Sequence, residues 1–105
     1  MGLKIYWTDF SKRELQRIFS YYQENASLKV ARKIVLGIEN KTVILRTHPN
    51  TGQREELLKD RFQDFRYLIF KNYKIIYWNN VKKNRIEIAD IFDTRQNPVK
   101  ILNQK

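Results

Sequence analysis

Between Phe65 and Phe92 the chain runs FRYLIF, YKIIYW and RIEIADIF, three stretches rich in β-branched and aromatic residues. Lys71-Asn72 joins the first pair and NNVKKN the second, both hairpin-sized connections. A link that short returns each strand antiparallel beside its predecessor, since a parallel return needs a crossover of about a dozen residues or more. The C-terminal part is therefore expected to be an antiparallel meander, and everything upstream must supply what packs on it.

Upstream, the apolar period changes. Leu3, Ile5 and Trp7 alternate with Lys4 and Tyr6, the pattern of a short strand with one buried face. TDFSKRELQRIFSYYQEN then offers Thr8 as an N-cap, or Ser11 with Glu14 as a capping box, ahead of Leu15, Ile18, Phe19 and Tyr22 on one helical face. Arg13 and Arg17 fall on the other face. A second helix starts near Ser27, where Leu28, Ala31, Val35, Ile38, Thr42 and Leu45 form one stripe. The join at Asn25 and Ala26 is short, so the helices form an antiparallel hairpin, and His48-Pro49 closes the second one. Gly37 lies within the helix, where it permits close packing. The stretch REELLKDRFQD fits either a short turn of helix or an excursion loop. The expected order is β-α-α-β-β-β, an α+β fold in which the helical hairpin packs on one face of an antiparallel sheet and the other face is partly open.

At 105 residues the chain, 1–105, reads as a single domain, because neither half alone would bury enough surface to fold. No apolar run is long enough to cross a bilayer, and the opening MGLKIYWTDF lacks the apolar region of a signal peptide. With no cysteine there is no disulfide framework, and the expectation is a cytoplasmic protein that does not engage the membrane. Charge is the strongest compositional feature: 21 Lys and Arg against 11 Asp and Glu, a net charge of +10. Such a surface attracts polyanions, whether nucleic acid, an acidic protein or anionic lipid, and composition alone does not choose among them.

Searches for familiar chemistry return little. The only histidine, His48, sits on a turn, with no serine placed beside it by any motif. Three glycines make no phosphate loop. Asp90 and Asp93 with one histidine make no metal site, and no cofactor is expected. Glu55, Glu56, Asp60 and Asp64 interleave with Arg54, Lys59 and Arg61, as on a solvated face.

What remains is a set of cations and aromatics on the strands. Arg66 and Lys74 occupy the first two strands of the meander, among Tyr67, Tyr73, Tyr77 and Trp78. An arginine flanked by Phe65, Tyr67 and Leu68 is costly to bury, so Arg66 is expected to point from the open face at an anion or a carboxylate. The last strand ends in DTRQNP, past what reads as the final core position, Phe92. An arginine fixed between a strand end and Pro98 holds one cation in a defined place. Gln96 and Asn97 add donors beside it.

The element order, the opening IYWTDFSKRELQRI, LRTHPNTGQ after the second helix, the FRYLIFKNYKIIYW hairpin and the IEIADIFDTRQNP ending together resemble the ParE/RelE superfamily of toxins from bacterial toxin-antitoxin modules. The resemblance implies a compact toxin neutralised by an acidic antitoxin that wraps it. In that superfamily the RelE-like members cut mRNA on the ribosome with basic residues and a C-terminal tyrosine or histidine, while the ParE-like members poison DNA gyrase by binding it. The superfamily's strand arginine matches Arg66 and its post-strand arginine matches Arg95. A ribonuclease reading would take Lys59, Arg66, Tyr73, Tyr77 and Arg95 as its catalytic set. The tail QNPVKILNQK has neither tyrosine nor histidine, and metal-free RNA cleavage needs a positioned acid or base beside its cations. The resemblance therefore favours the ParE-like branch, with Arg66, Lys74, Arg95, Gln96 and Asn97 as target-binding residues. The alternatives are a ribosome-dependent mRNA endoribonuclease and a non-toxic, basic nucleic-acid-binding relative.

Overall fold

The computed structural model describes residues 2–103. Two helices, α1 (Asp9–Asn25) and α2 (Leu28–Lys41), follow β1 (Lys4–Trp7). Then come β2 (Gln53–Arg54), β3 (Arg66–Phe70), β4 (Tyr73–Asn80) and β5 (Arg85–Asp93). The strands make one sheet in the order β1-β5-β4-β3-β2.

The meander is as expected, with β3, β4 and β5 antiparallel. Two features change the sheet around it. β1 pairs with β5 in parallel, making the sheet mixed; residues 8–84, the helical hairpin and three strands among them, separate these two neighbours in the chain, and the hairpin itself carries the chain from the β1 edge to the β2 edge. The two-residue β2 lies antiparallel against Arg66 and Tyr67. Beyond Tyr67 the outer edge of β3 has no strand neighbour among the described residues.

Thr8 caps α1, its side-chain oxygen accepting the Ser11 N–H at 3.1 Å. Its hydroxyl also donates to the Ile88 carbonyl at 3.0 Å, fixing the start of α1 to β5. Ser11 is buried inside the helix and donates to the Thr8 carbonyl, so Thr8 and not Ser11 is the cap. Ser27 caps α2 through the Val30 N–H at 3.1 Å.

The α-helix of α2 ends earlier than its apolar stripe suggests. From Thr42 to Arg46 the chain tightens into a 3₁₀ turn, a place where β-branched Thr42, Val43 and Ile44 stand in a row. Thr42 bonds the Glu39 carbonyl at 2.7 Å. Of the expected stripe, Ala31, Ile38, Thr42 and Leu45 are buried, while Val35 is half-buried and Ile34 takes the buried place beside it. Leu28 is exposed.

The principal core lies between the hairpin and the sheet, with Ile18, Ile34 and Ile38 against Leu68, Ile75, Tyr77, Ile86, Ile88 and Ile91. Gly37 allows the approach it was read for: a Cβ there would lie 2.3 Å from Phe70 Cζ. On β5, Ala89 is the extra residue of a bulge, since Tyr77 pairs with Ile88 and Ile76 with Asp90. The bulge lets Ile86, Ile88 and Ile91 share one face despite their uneven spacing.

The other face of the sheet is less open than expected. A second, smaller core forms there from Ile76, Ala89 and Phe92 beneath Leu58, Phe65 and Ile101. Its cover comes from a 3₁₀ turn at Glu56–Leu58 and another at Pro98–Asn103. Phe92 is thus not the last core position, because a single isoleucine in a polar tail, Ile101, is buried.

Candidate functional site

The strand-end arginine sits where β5 leaves the sheet. Thr94 turns the chain by donating through both its backbone N–H (2.8 Å) and its hydroxyl (2.7 Å) to the Asn72 carbonyl. Arg95 then folds back on Asp93, with Nε 3.0 Å from Oδ1 and Nη2 2.7 Å from Oδ2. Hydrogen bonds from the Arg95 side chain, its backbone N–H and Asn72 hold the Asp93 carboxyl down at about 2. The same pair pushes the guanidinium still higher. Arg95 is well exposed.

Tyr73 lies beside this pair, and its hydroxyl donates to Tyr22 at 3.4 Å. Burial, followed by the Tyr22 contact and the Asp93 charge, pushes the phenol well above its ordinary range. A cleft of about 420 Å³ opens between Glu14, Arg17 and Tyr21 of α1 and Tyr73, Asp93 and Arg95. Gln96 and Asn97 continue the turn: Gln96 accepts from Lys100 Nζ at 3.4 Å, and the Asn97 side chain accepts the Val99 N–H at 3.1 Å.

Arg66 is elsewhere. It pairs across the sheet with Tyr77, on the face that carries Leu68 and the principal core, and not on the face away from the helices. Its Nε meets Asp64 at 3.1 Å and its Nη1 meets the Gly52 carbonyl at 3.0 Å. A carboxylate does face it, and that carboxylate belongs to its own chain. Tyr77 is fully buried: its hydroxyl donates to the Pro49 carbonyl at 2.8 Å and accepts the Gly52 N–H at 2.9 Å. Burial raises its pKa, and its role is to fasten the loop at Pro49–Gly52.

Lys74 points to the second core's side of the sheet. It pairs with the buried Glu55 at 2.9 Å, and its ammonium lies 4.2 Å from the centre of the Tyr67 ring. Lys59 is exposed on the loop that follows the Glu56–Leu58 turn. Tyr73 and Tyr77 are four residues apart on β4, roughly 13 Å by strand rise. The five residues of a ribonuclease set are therefore spread over two faces and both ends of the sheet. They come together only as two separate pairs, Tyr73 with Arg95 at the strand end and Arg66 with Tyr77 at Gly52.

A surface that single-sequence reading did not single out lies between α2 and β3. It is a groove of about 1080 Å³ floored by Ile34, Gly37 and Phe70, with Leu28, Leu36 and Ile69 exposed along it. Lys29, Arg32, Lys33 and Lys71 stand around it, and no acidic residue lines it. The signal was present in Leu28 and Leu36, apolar residues with cationic neighbours on an amphipathic helix.

Among the described residues no cluster of His, Cys, Asp or Glu could hold a metal ion, and no helix is long and apolar enough to cross a membrane. Residues 5–98 match the family model of the ParE toxin of the type II toxin-antitoxin system, parDE. The chain belongs to the ParE toxin family. It is the toxin component of a type II toxin-antitoxin system. A chain from the "Chromosomal ParDE TA system from P. aeruginosa" has the same fold at TM-score 0.70 and 20% identity, covering 88% of this chain and 96% of that one. Comparison with curated proteins returned no match. The toxin's two helices and five-stranded mixed sheet are the ParE-like arrangement.

Proposed function

We propose that this ParE-family toxin acts in the cytoplasm by binding DNA gyrase, not by cutting RNA, and that an acidic antitoxin segment neutralises it from the α2–β3 groove. The observation that supports binding over cleavage is the Tyr73–Asp93–Arg95 arrangement. Arg95 is an exposed cation at the strand end, and Tyr73, the phenol on β4 beside it, is pushed well above its ordinary range by burial. A general base must be able to give up its proton near the working pH. Tyr73 cannot, and the paired Asp93, held at about 2, is too weak a base. What the strand end offers a target is a positioned guanidinium with Gln96 and Asn97 beside it.

The partner reading is supported by charge complementarity. An apolar floor ringed by four cations with no acid suits an amphipathic segment with acidic flanks. Long-range attraction from the +10 surface would speed its arrival.

The test has two arms. Purified toxin added to gyrase and plasmid DNA is expected to block supercoiling or trap cleaved complexes. Ribosomes programmed with mRNA in its presence are expected to show no codon-spaced cuts. Cuts that vanish in Tyr73→Phe would overturn the reading and make the toxin a nuclease.

A further inference from the structure

On the sheet face away from the helical hairpin, aromatic and cationic side chains form a row across three strands. Ile5 and Trp7 pack toward the principal core, so the alternating Tyr6 faces the other way. The register sets Tyr6 opposite Glu87, and Glu87 opposite Trp78. The Arg85 guanidinium lies 3.7 Å from the centre of the Tyr6 ring. Its Nε and Nη2 both reach Glu87 Oε2 at 3.0 Å, which neutralises that carboxylate.

Trp78 extends the row. Phe62 stands edge-on to it with ring centres 5.9 Å apart, and Phe65 lies beneath at 6.4 Å. Beside Trp78 a pocket of about 510 Å³ opens toward Thr8, Phe10, Arg13 and Asn103. The Arg13 guanidinium is 5.8 Å from the centre of the Phe10 ring.

Phe62 is 88% exposed and Phe10 is 42% exposed. Rings held this far out contribute little to folding, and clustered exposed apolar side chains mark a contact surface. The chemistry differs from that of the α2–β3 groove, whose exposed residues are aliphatic. Here the surfaces are flat π-systems with a guanidinium beside Tyr6 and another beside Phe10. That combination suits stacked bases joined by phosphates, since stacking on an aromatic side chain accepts any base and the cations follow the backbone.

We propose that this row binds single-stranded nucleic acid, one base stacking on the exposed Phe62 ring and a neighbouring base entering the Phe10–Trp78 pocket, while phosphates run toward Arg13 and Arg85. The site joins the sheet face that carries Tyr6 and Trp78 to Phe10 and Arg13 at the start of α1, and it does not depend on gyrase being the target.

The test uses the full chain and four fluorescein-labelled or competing probes: a twelve-nucleotide oligo-dT, the matching oligo-dT·dA duplex, a mononucleotide and polyglutamate. Anisotropy is expected to show the single strand binding more tightly than the duplex or the mononucleotide, with quenching of tryptophan emission. Phe62→Ala removes only an exposed ring, so it is expected to keep its circular dichroism spectrum and melting temperature. It should weaken the single-strand complex by about 5- to 10-fold, the low end of one lost stack. Arg13→Gln and Arg85→Gln should each lower the salt slope by about one ion. Lys29→Gln, which removes one charge from the α2–β3 groove, sets the level of a purely electrostatic loss. Equal weakening by Phe62→Ala and Lys29→Gln, or no weakening by Phe62→Ala, would overturn the proposal. A duplex or mononucleotide bound as tightly as the strand, or polyglutamate displacing the strand as effectively as unlabelled oligo-dT does, would overturn it too.

Discussion

Asp93 and Arg95 are two positions apart, and the guanidinium of Arg95 lies along the Asp93 carboxylate with contacts of 3.0, 3.2 and 2.7 Å. The cation that the strand end presents is thus a pre-oriented pair. Replacing Arg95 by Ala is expected to weaken target engagement while leaving the melting temperature nearly unchanged, because the side chain is well exposed. A gyrase inhibition assay beside a thermal melt checks both halves.

The same pair has a pH signature. The Asp93 carboxyl is held at about 2 against an ordinary 3.8. A carboxyl lowered on folding contributes stability above its unfolded value, and that contribution is lost as the pH falls from about 4 toward 2. In Arg95→Gln the largest cause is removed, so carbon-detected NMR titration should find Asp93 moved up toward 3.8. Acid unfolding should then lose part of its steepness in that window.

The two tyrosines of β4 should respond differently to loss of the hydroxyl. Tyr77→Phe leaves the Gly52 N–H and the Pro49 carbonyl without their buried partner. An unsatisfied buried group costs about 1–3 kcal/mol, which in a domain of this size lowers the melting temperature by at least about 4 °C. Tyr73→Phe gives up one 3.4 Å contact to Tyr22 and should cost under about 1 kcal/mol. Urea denaturation of the two variants side by side decides it.

Lys74 and Glu55 form the pair most sensitive to a single deletion. Glu55 is 4% exposed and its partner ammonium is 2.9 Å away. Lys74→Ala would leave a buried carboxylate without a counter-charge, at a cost near the low end of about 3–5 kcal/mol because Lys74 itself still reaches water. Lys74→Met combined with Glu55→Leu should recover most of the loss. Equal stability of the single and double variants would show that water already serves the carboxylate.

Gly37→Ala tests the contact between α2 and β3. The new methyl meets the Phe70 ring at 2.3 Å, an overpacking that costs about 1–3 kcal/mol against a helix-propensity gain of about 1 kcal/mol. A small net loss is expected. Phe70→Leu in the same chain should relieve it, as read by thermal melting.

Much of the fold was legible because it is written in short-range periodicity: the meander in its hairpin-sized links, α1 in Thr8 and its apolar face, the close packing at Gly37. The parallel seat of β1 was not, since no local pattern distinguishes a strand that pairs beside β5 from one that pairs elsewhere. Ile101 was missed for a related reason, one apolar residue giving no period. The α2–β3 groove is assembled from Leu36 and Phe70, on different elements, so neither stretch alone announces it. Arg66 was read as pointing from the open face at an anion or a carboxylate; Asp64 faces it, but on the side of the principal core. Which face it took depended on Leu68 and Phe70 sharing its parity, a pattern that was available in the sequence.

The pairing of β1 with β5 also governs when the toxin comes into being. Thr8 bonds the carbonyl of Ile88, 80 positions further along the chain, and the sheet's centre is β5 and β4. Until Arg85–Asp93 has been synthesised, β1 has no neighbour and the principal core lacks Ile86, Ile88 and Ile91. Contacts this distant in sequence slow folding, and a chain still emerging from its ribosome holds neither face of the sheet closed. The sheet and the principal core can therefore close only once the chain has been made as far as Asp93.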